Sequence, residues 1–354
     1  MILNDLLTLA KENDASDLHL NVGIPPVIRI NGKLNKLKFP ELTKEEVHRL
    51  IYSILDENQK KDFETNGELD LSYELESVAR FRVNLFKHRR GEGGAFRLIP
   101  EKIKSLSELG LPSVLANFCE KDKGFVLITG PTGSGKSTTL ATLIDIINTQ
   151  RYDNIITIED PIEFIHQHKN CLITQREIGA HTKSFSDALR SALREDPDVI
   201  LVGEMRDLET ISMALTAAET GHLVFSTLHT ISVSDTIDRI IDVFPPHQQN
   251  QVRMQLAGAL LGVVAQTLLP TLDEKGRAPA LEIMFATPAI KNLIRENKTY
   301  QIQSIIQISK KDGMQSLDQS LKDLLMEGKI SREDALRKAI DKKVFEKEHY
   351  NYNY

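Results

Sequence analysis

Gly124 to Gln150 reads GFVLITGPTGSGKSTTLATLIDIINTQ, and it decides the fold of the larger part of the chain. FVLIT is a short continuous apolar run, the pattern of a strand buried on both faces, and STTLATLIDIINTQ reads as a helix. Between them Gly130–Ser137 matches G-x-x-x-x-G-K-[ST]. Ordinary residue usage produces that motif in about one chain of this length in a hundred, and the strand-to-helix placement makes coincidence rarer still. Gly130, Gly133 and Gly135 let successive amides turn inward without Cβ clashes, and the helix opening near Lys136 aims its free N–H groups at the same point. Lys136 is expected to reach the β- and γ-phosphates, and the Ser137 hydroxyl to ligate Mg²⁺. The candidate ATP-binding residues here are Gly130, Pro131, Thr132, Gly133, Ser134, Gly135, Lys136, Ser137 and Thr138, with ATP and Mg²⁺ as the ligands.

Three further apolar runs follow, NIITIED, DVILVGE and GHLVFSTLHT, with helical stretches between them. Strand, helix and strand in alternation predict an α/β fold with a parallel-rich sheet covered on both faces. Each run ends in a group that can orient or deprotonate water: Glu159, Asp160 and Glu163, then Glu204, then His229. In many nucleotide-hydrolysing proteins the residue after such a strand is a magnesium-holding aspartate, whereas DPDVILVGEMRD has Gly203 and Glu204 there.

Towards the amino terminus, residues 1–100 read as a smaller mixed α/β domain. Its strand signals are VIRI before the turn Asn31-Gly32, then LDLSYEL, RFRVNLF and GAFRLI. In ARFRVNLF, Phe81, Val83 and Leu85 fall on one face, and Arg80, Arg82 and Asn84 on the other. KHRR, Lys87 to Arg90, reads as a solvated hairpin end. Residues 101–123 are polar and short-patterned, with one amphipathic helical piece around Leu111 to Phe118, and are expected to act as a linker and hinge. The ATPase domain then spans 124–354. From about 230 to 340 it reads as helical, including a core helix at Leu256–Ala265, with only LEIMFA interrupting, and the tail KKVFEKEHYNYNY reads as frayed.

Of the 354 residues, 41% are hydrophobic and 27% charged, ordinary for a folded soluble protein. A net charge of −6 and 6% aromatics without tryptophan argue against a nucleic-acid partner. Two cysteines cannot build a four-thiolate zinc site. The start lacks the order of a signal peptide, and the longest apolar stretch is about ten residues against about twenty for a membrane span. A cytoplasmic location is expected.

DASDLHL, GPTGSGKSTTL, ITIEDPIEF, ALREDPDVILVGEMRDLET and TAAETGHLVFSTLHT together resemble the bacterial type II and type IV secretion-system and pilus motor ATPases, over nearly the whole chain. Within that family the chain is similar to the retraction ATPases of twitching motility. The resemblance implies a RecA-like phosphate-loop domain, a PAS-like amino-terminal domain, and a homohexamer working on a pilus platform protein at the cytoplasmic face of the inner membrane. It gives Glu204 the role of catalytic base, places Glu159, Asp160 and Glu163 around the attacking water, and makes His229 a γ-phosphate sensor. It matches Arg82, Arg97, Arg190 and Arg194 to arginines that neutralise nucleotide phosphates. Arg190 and Arg194, four apart, are expected on one helical face. Export-type relatives carry a further domain and a four-cysteine zinc segment that this chain lacks, and PAIKNLIRENKTYQI resembles a retraction-type segment, with Lys291 where arginine is usual. An accessory retraction paralogue, a nucleic-acid motor and a non-hydrolysing nucleotide switch are the rival readings.

Overall fold

A computed structural model describes residues 2–30, 32–76, 78–99, 102–273 and 276–346. Asn31 of the expected turn, Pro100, Glu101 of the expected linker and residues 347–354 of the tail lie outside the described residues; the first part of that tail is not frayed, because Lys343–Glu346 is a short helix whose Phe345 is buried in an apolar cluster. The chain forms two compact units, one running to Lys102 and the other beginning at Ile103.

The first unit holds six antiparallel strands: β1 (Asp17–Asn21), β2 (Val27–Ile30), β3 (Lys33–Lys36), β4 (Glu68–Leu75), β5 (Ala79–His88) and β6 (Gly91–Ile99), in the order β3-β2-β1-β6-β5-β4. Phe81, Val83 and Leu85 are buried against the helices Leu3–Glu12, Lys44–Tyr52 and Glu57–Asn66, as the alternation in ARFRVNLF predicts. Those helices form where they do for local reasons. Thr43 and Glu46 close a capping box ahead of the second, and Asp56 with Gln59 does so ahead of the third.

The second unit is built on a seven-stranded sheet, β7 (Gly124–Thr129), β8 (Asn154–Glu159), β9 (Leu172–Glu177), β10 (Val199–Val202), β11 (Leu223–Leu228), β12 (Leu260–Pro270) and β13 (Arg277–Phe285), in the order β13-β12-β7-β11-β10-β8-β9. All pairings are parallel except that of β12 with β13. Successive residues of one strand enter opposite cores: Phe125 and Leu127 lie on one side of the sheet, Val126 and Ile128 on the other, and every one is fully buried. That two-sided burial explains why the strands read as unbroken apolar runs. Burying each such side chain is worth about 1.5–3 kcal/mol.

Three further sequence expectations are corrected. Leu256–Ala265 is not one helix: the helix Pro246–Ala259 ends and β12 begins at Leu260, pairing in parallel with β7. A short apolar run carries no period of its own, and here pairing beside a central strand decides its conformation. The carboxyl-terminal region is thus helical from Pro288 onward, after contributing two strands to the sheet. The expected linker is largely packed: Leu106, Leu111, Leu115 and Phe118 are buried in the second unit's core, and the piece from Ser113 to Phe118 is a 3₁₀ helix. Finally, Arg194 lies beyond the helix Phe185–Ala192, so it does not share a regular helical face with Arg190.

Candidate active site

Parallel strands end together, and here four adjacent ones deliver the chemistry. The phosphate loop follows β7, His229 follows β11, Glu204 stands two residues past the end of β10, after Gly203, and Glu159 closes β8. These strands are neighbours in the order β7-β11-β10-β8. At about 4.8 Å per strand, His229 is one strand from the loop, Glu204 two and Glu159 three.

Loop and helix geometry agree with the motif. Gly130, Gly133 and Gly135 have φ of 142°, 79° and 88°. Gly135 leads into the helix Lys136–Gln150, whose first turn holds Lys136, Ser137 and Thr138, while Pro131 and Thr132 form the exposed crest. Lys136 Nζ reaches back over the crest to the carbonyls of Gly130 at 2.9 Å and Pro131 at 3.2 Å. Burial pulls the Lys136 ammonium below the usual lysine value, and the carboxylates of Glu204 and Glu163 oppose that pull. Ser134 Oγ is buried without a hydrogen-bond partner, and open space surrounds Gly133. A concave ring of amides, a half-buried lysine and a helix amino terminus fit a nucleotide polyphosphate. Ser137, one residue past Lys136, suits the hydroxyl ligand of a phosphate-bound Mg²⁺.

Glu204 is held from both sides along the chain. Gly203 donates to Ile158 O at 2.8 Å and accepts from Thr227 Oγ1 at 2.6 Å, while Met205 is buried and Asp207 caps the helix Leu208–Glu219 through the Thr210 amide at 2.8 Å. A Cβ at position 203 would stand 3.2 Å from Ile158 O and 3.3 Å from Glu159 Cα, so a side chain there would press on the backbone of β8. The carboxylate itself meets His229 Nε2 at 3.0 Å and Arg206 Nη2 at 2.8 Å. Burial alone would raise its pKa, but Arg206 and His229 outweigh burial and hold Glu204 below the ordinary glutamate value. Arg206 and Arg239 join Glu204 and His229 around a cavity of about 270 Å³. Sequence reading missed both arginines. Arg206 stands only two residues from Glu204, a proximity that could have flagged it, whereas Arg239 is brought in from the helix Val233–Asp242.

Glu159 behaves differently. The residue as a whole is half-buried, yet its carboxyl group is closely surrounded by protein, and burial pushes its pKa up to about 7 despite hydrogen bonds from Thr157 Oγ1 at 2.7 Å and Gln175 Nε2 at 3.2 Å. The folded chain thus keeps a proton there that the unfolded chain releases near 4.5, so stability falls as pH rises from about 4.5 to about 7 and levels off above. Glu159→Gln is expected to flatten that slope and to gain about 1–3 kcal/mol at pH 8. Denaturant unfolding of both chains at pH 5 and pH 8 measures it, and parallel pH curves would remove the buried-proton account.

Asp160 and Glu163 are exposed on the segment after β8, with Glu163 close enough to act on Lys136. Arg190 pairs with Glu209 and with Asp187 at 3.6 Å. Arg194 Nη1 returns to Arg190 O at 2.9 Å, so the two stay together although the helix has ended. Arg82 and Arg97 belong to the first unit, directly opposite each other on β5 and β6, and Arg97 Nε is bound by Asp17 Oδ1 at 2.9 Å.

A doubly covered parallel sheet with a lysine-bearing phosphate loop and an ionised glutamate two strands away defines a phosphate-loop ATPase. The chain belongs to the type II/IV secretion system protein family, whose model matches residues 1–337. It is 54% identical over 339 residues, 96% of this chain and 98% of the other, to the type IV pilus retractation ATPase PilT of Pseudomonas aeruginosa. It is 53% identical to a twitching motility protein of Neisseria gonorrhoeae, over 89% of this chain and 84% of that one. The crystal structure of the pilus retraction motor PilT with bound ADP superposes with a TM-score of 0.92 at 48% identity, covering 98% of this chain and all of that one. Among the described residues no helix is long and apolar enough to cross a membrane.

Proposed function

We propose that this chain is a hexameric motor ATPase that hydrolyses ATP to drive disassembly of a type IV pilus, working on a platform protein at the cytoplasmic face of the inner membrane. The observation that carries the hydrolytic part is the Glu204 carboxylate, two strands from the phosphate loop and kept charged by Arg206 and His229. Near-full-length likeness to a retraction ATPase supports the pilus assignment.

In this reading the loop amides and Lys136 bind the polyphosphate, and Ser137 supplies a hydroxyl to Mg²⁺. The charge that spreads over the phosphate oxygens would be neutralised by that Mg²⁺ together with Lys136. Glu204 accepts the proton of the attacking water, His229 steadies the Glu204 carboxylate, and Glu159, Asp160 and Glu163 shape the water's surroundings. Arg190 and Arg194 offer cations at an exposed surface, where a neighbouring subunit of a ring could meet them.

A strain lacking the chain tests the biological half. The expected outcome is surplus surface pili with twitching lost, scored by electron microscopy and by colony spreading. Bald cells would point to pilus assembly, and normal pili with normal twitching would overturn the proposal. Stimulation of the purified ATPase by DNA or RNA would move the reading to a nucleic-acid motor.

A further inference from the structure

The geometry points to Gln266 as a positioning residue for the nucleotide: its buried side-chain amide fastens the phosphate loop to the helix behind it and so fixes the direction of the loop's amides. The inference rests on the nucleotide-binding reading of that loop.

Gln266 sits in β12, whose neighbour Ala265 pairs in register with Thr129, the last residue of β7 before the loop. It is the one long polar side chain in the apolar half of that strand, and it is 5% exposed. Its Nε2 donates to Ser134 O at 2.7 Å, and its Oε1 accepts from Thr139 Oγ1 at 2.8 Å. Thr139 is itself buried in the helix, and its amide donates to Gly135 O at 3.0 Å. One planar amide therefore spans loop and helix, using a donor at one end and an acceptor at the other.

Fit around this residue is tight. A Cβ at Gly135 would stand 2.8 Å from Gln266 Nε2, and one at Gly130 would stand 2.2 Å from the Gln266 carbonyl. The adjacent loop carbonyl, Gly133 O, is approached at 3.4 Å by Arg277 Nη1 from β13. Two consecutive carbonyls are thus drawn towards the β12–β13 side of the sheet. Peptide planes are rigid, so a carbonyl held on one side turns the amide of the same peptide unit to the other. For the Ser134 carbonyl that amide belongs to Gly135; the Ser134 amide, on the same peptide as the Gly133 carbonyl, is held within the loop by donating to Pro131 O at 3.1 Å. An apolar side chain at 266 would leave the Ser134 carbonyl and Thr139 hydroxyl without this partner, and the loop could turn to satisfy them elsewhere.

The test uses the full chain and fluorescent ADP, with ATP turnover measured in parallel. Gln266→Leu, close in volume, is expected to weaken ADP binding by about ten- to a hundredfold, with KM rising in step and the loss at saturating ATP smaller than the loss of affinity. Wild-type affinity in a folded Gln266→Leu chain overturns the inference, as does a fall in kcat alone. Should Gln266→Leu fail to fold, Thr139→Val decides: it keeps the packing shape and removes only the hydroxyl, and it is expected to weaken ADP several-fold, with unchanged affinity overturning the inference. In a double-mutant cycle the two substitutions should be strongly non-additive. ADP binding by the parent chain separates the two readings, because its absence would remove the nucleotide site itself.

Discussion

Glu204→Gln is expected to retain ADP binding close to that of the parent chain while turnover falls by about 10²–10⁴. Glutamine keeps the size and shape of glutamate, so Gly203 and Met205 still present it at the end of β10. What it loses is the capacity to take a proton. Its amide oxygen can still accept from Arg206 Nη2, and its NH₂ can donate to His229 Nε2 when the imidazole carries its proton on Nδ1, so the contacts at 2.8 and 3.0 Å can persist while the negative charge does not. Those two contacts also set the basicity of the carboxylate. Arg206 and His229 keep Glu204 charged, and by lowering its pKa they place the acid limb of turnover at low pH. Removing Arg206 raises that pKa, so Arg206→Gln is expected to move the acid limb of the kcat profile to higher pH. A steady-state pH series on three chains, parent, Glu204→Gln and Arg206→Gln, measures both effects. Parent-like turnover in Glu204→Gln would take the proton-accepting role away from this residue, and an unmoved acid limb in Arg206→Gln would separate Glu204 from the group that titrates.

How much of this was legible in the sequence follows from which constraints are local. The phosphate loop was legible because the backbone path itself demands glycine at fixed spacings. Strands β7, β8, β10 and β11 were legible because burial on both faces leaves unbroken apolar runs, and Glu204 because an acid at the end of such a run stands out. Strand β9 was not, because LITQRE lies at the sheet edge and alternates weakly, with Leu172 exposed. Strand β12 was misread because LAGALLGVVA has no period of its own: the break between Ala259 and Leu260 is imposed by pairing with β7, more than a hundred residues earlier. The same non-local pairing brings Gln266 to the loop and, with the fold of the helix Val233–Asp242, explains why neither Gln266 nor Arg239 carried a signal. Spacing alone also placed Arg190 and Arg194 on one helix, whereas the helix stops at Ala192 and a side-chain hydrogen bond keeps the pair together.

Gly130→Ala is expected to abolish nucleotide binding within measurable range, a loss of more than about a hundredfold, and to lower the unfolding midpoint by several degrees. Two separate effects combine at this position. With φ at 142°, the backbone adopts a conformation that costs a residue with a Cβ about 1–3 kcal/mol. The added carbon would also lie 2.2 Å from Gln266 O and 2.6 Å from Ser134 Oγ, well inside contact distance. The hydroxyl could rotate away, but the Gln266 carbonyl belongs to a strand paired on both sides, with β7 and with β13, so the loop rather than the sheet must move. Gly133→Ala separates the two effects. Its φ of 79° is also left-handed, yet nothing lies within 4 Å of the added carbon, so only the conformational cost of about 1–2 kcal/mol remains. Fluorescent ADP titrations on both variants, with thermal melts to follow the fold, should therefore show Gly133→Ala about five- to thirtyfold weaker than the parent and Gly130→Ala weaker by a further tenfold or more. Equal losses at the two positions would mean that the close approach of β12 does not shape the loop, and would count against the Gln266 assignment as well.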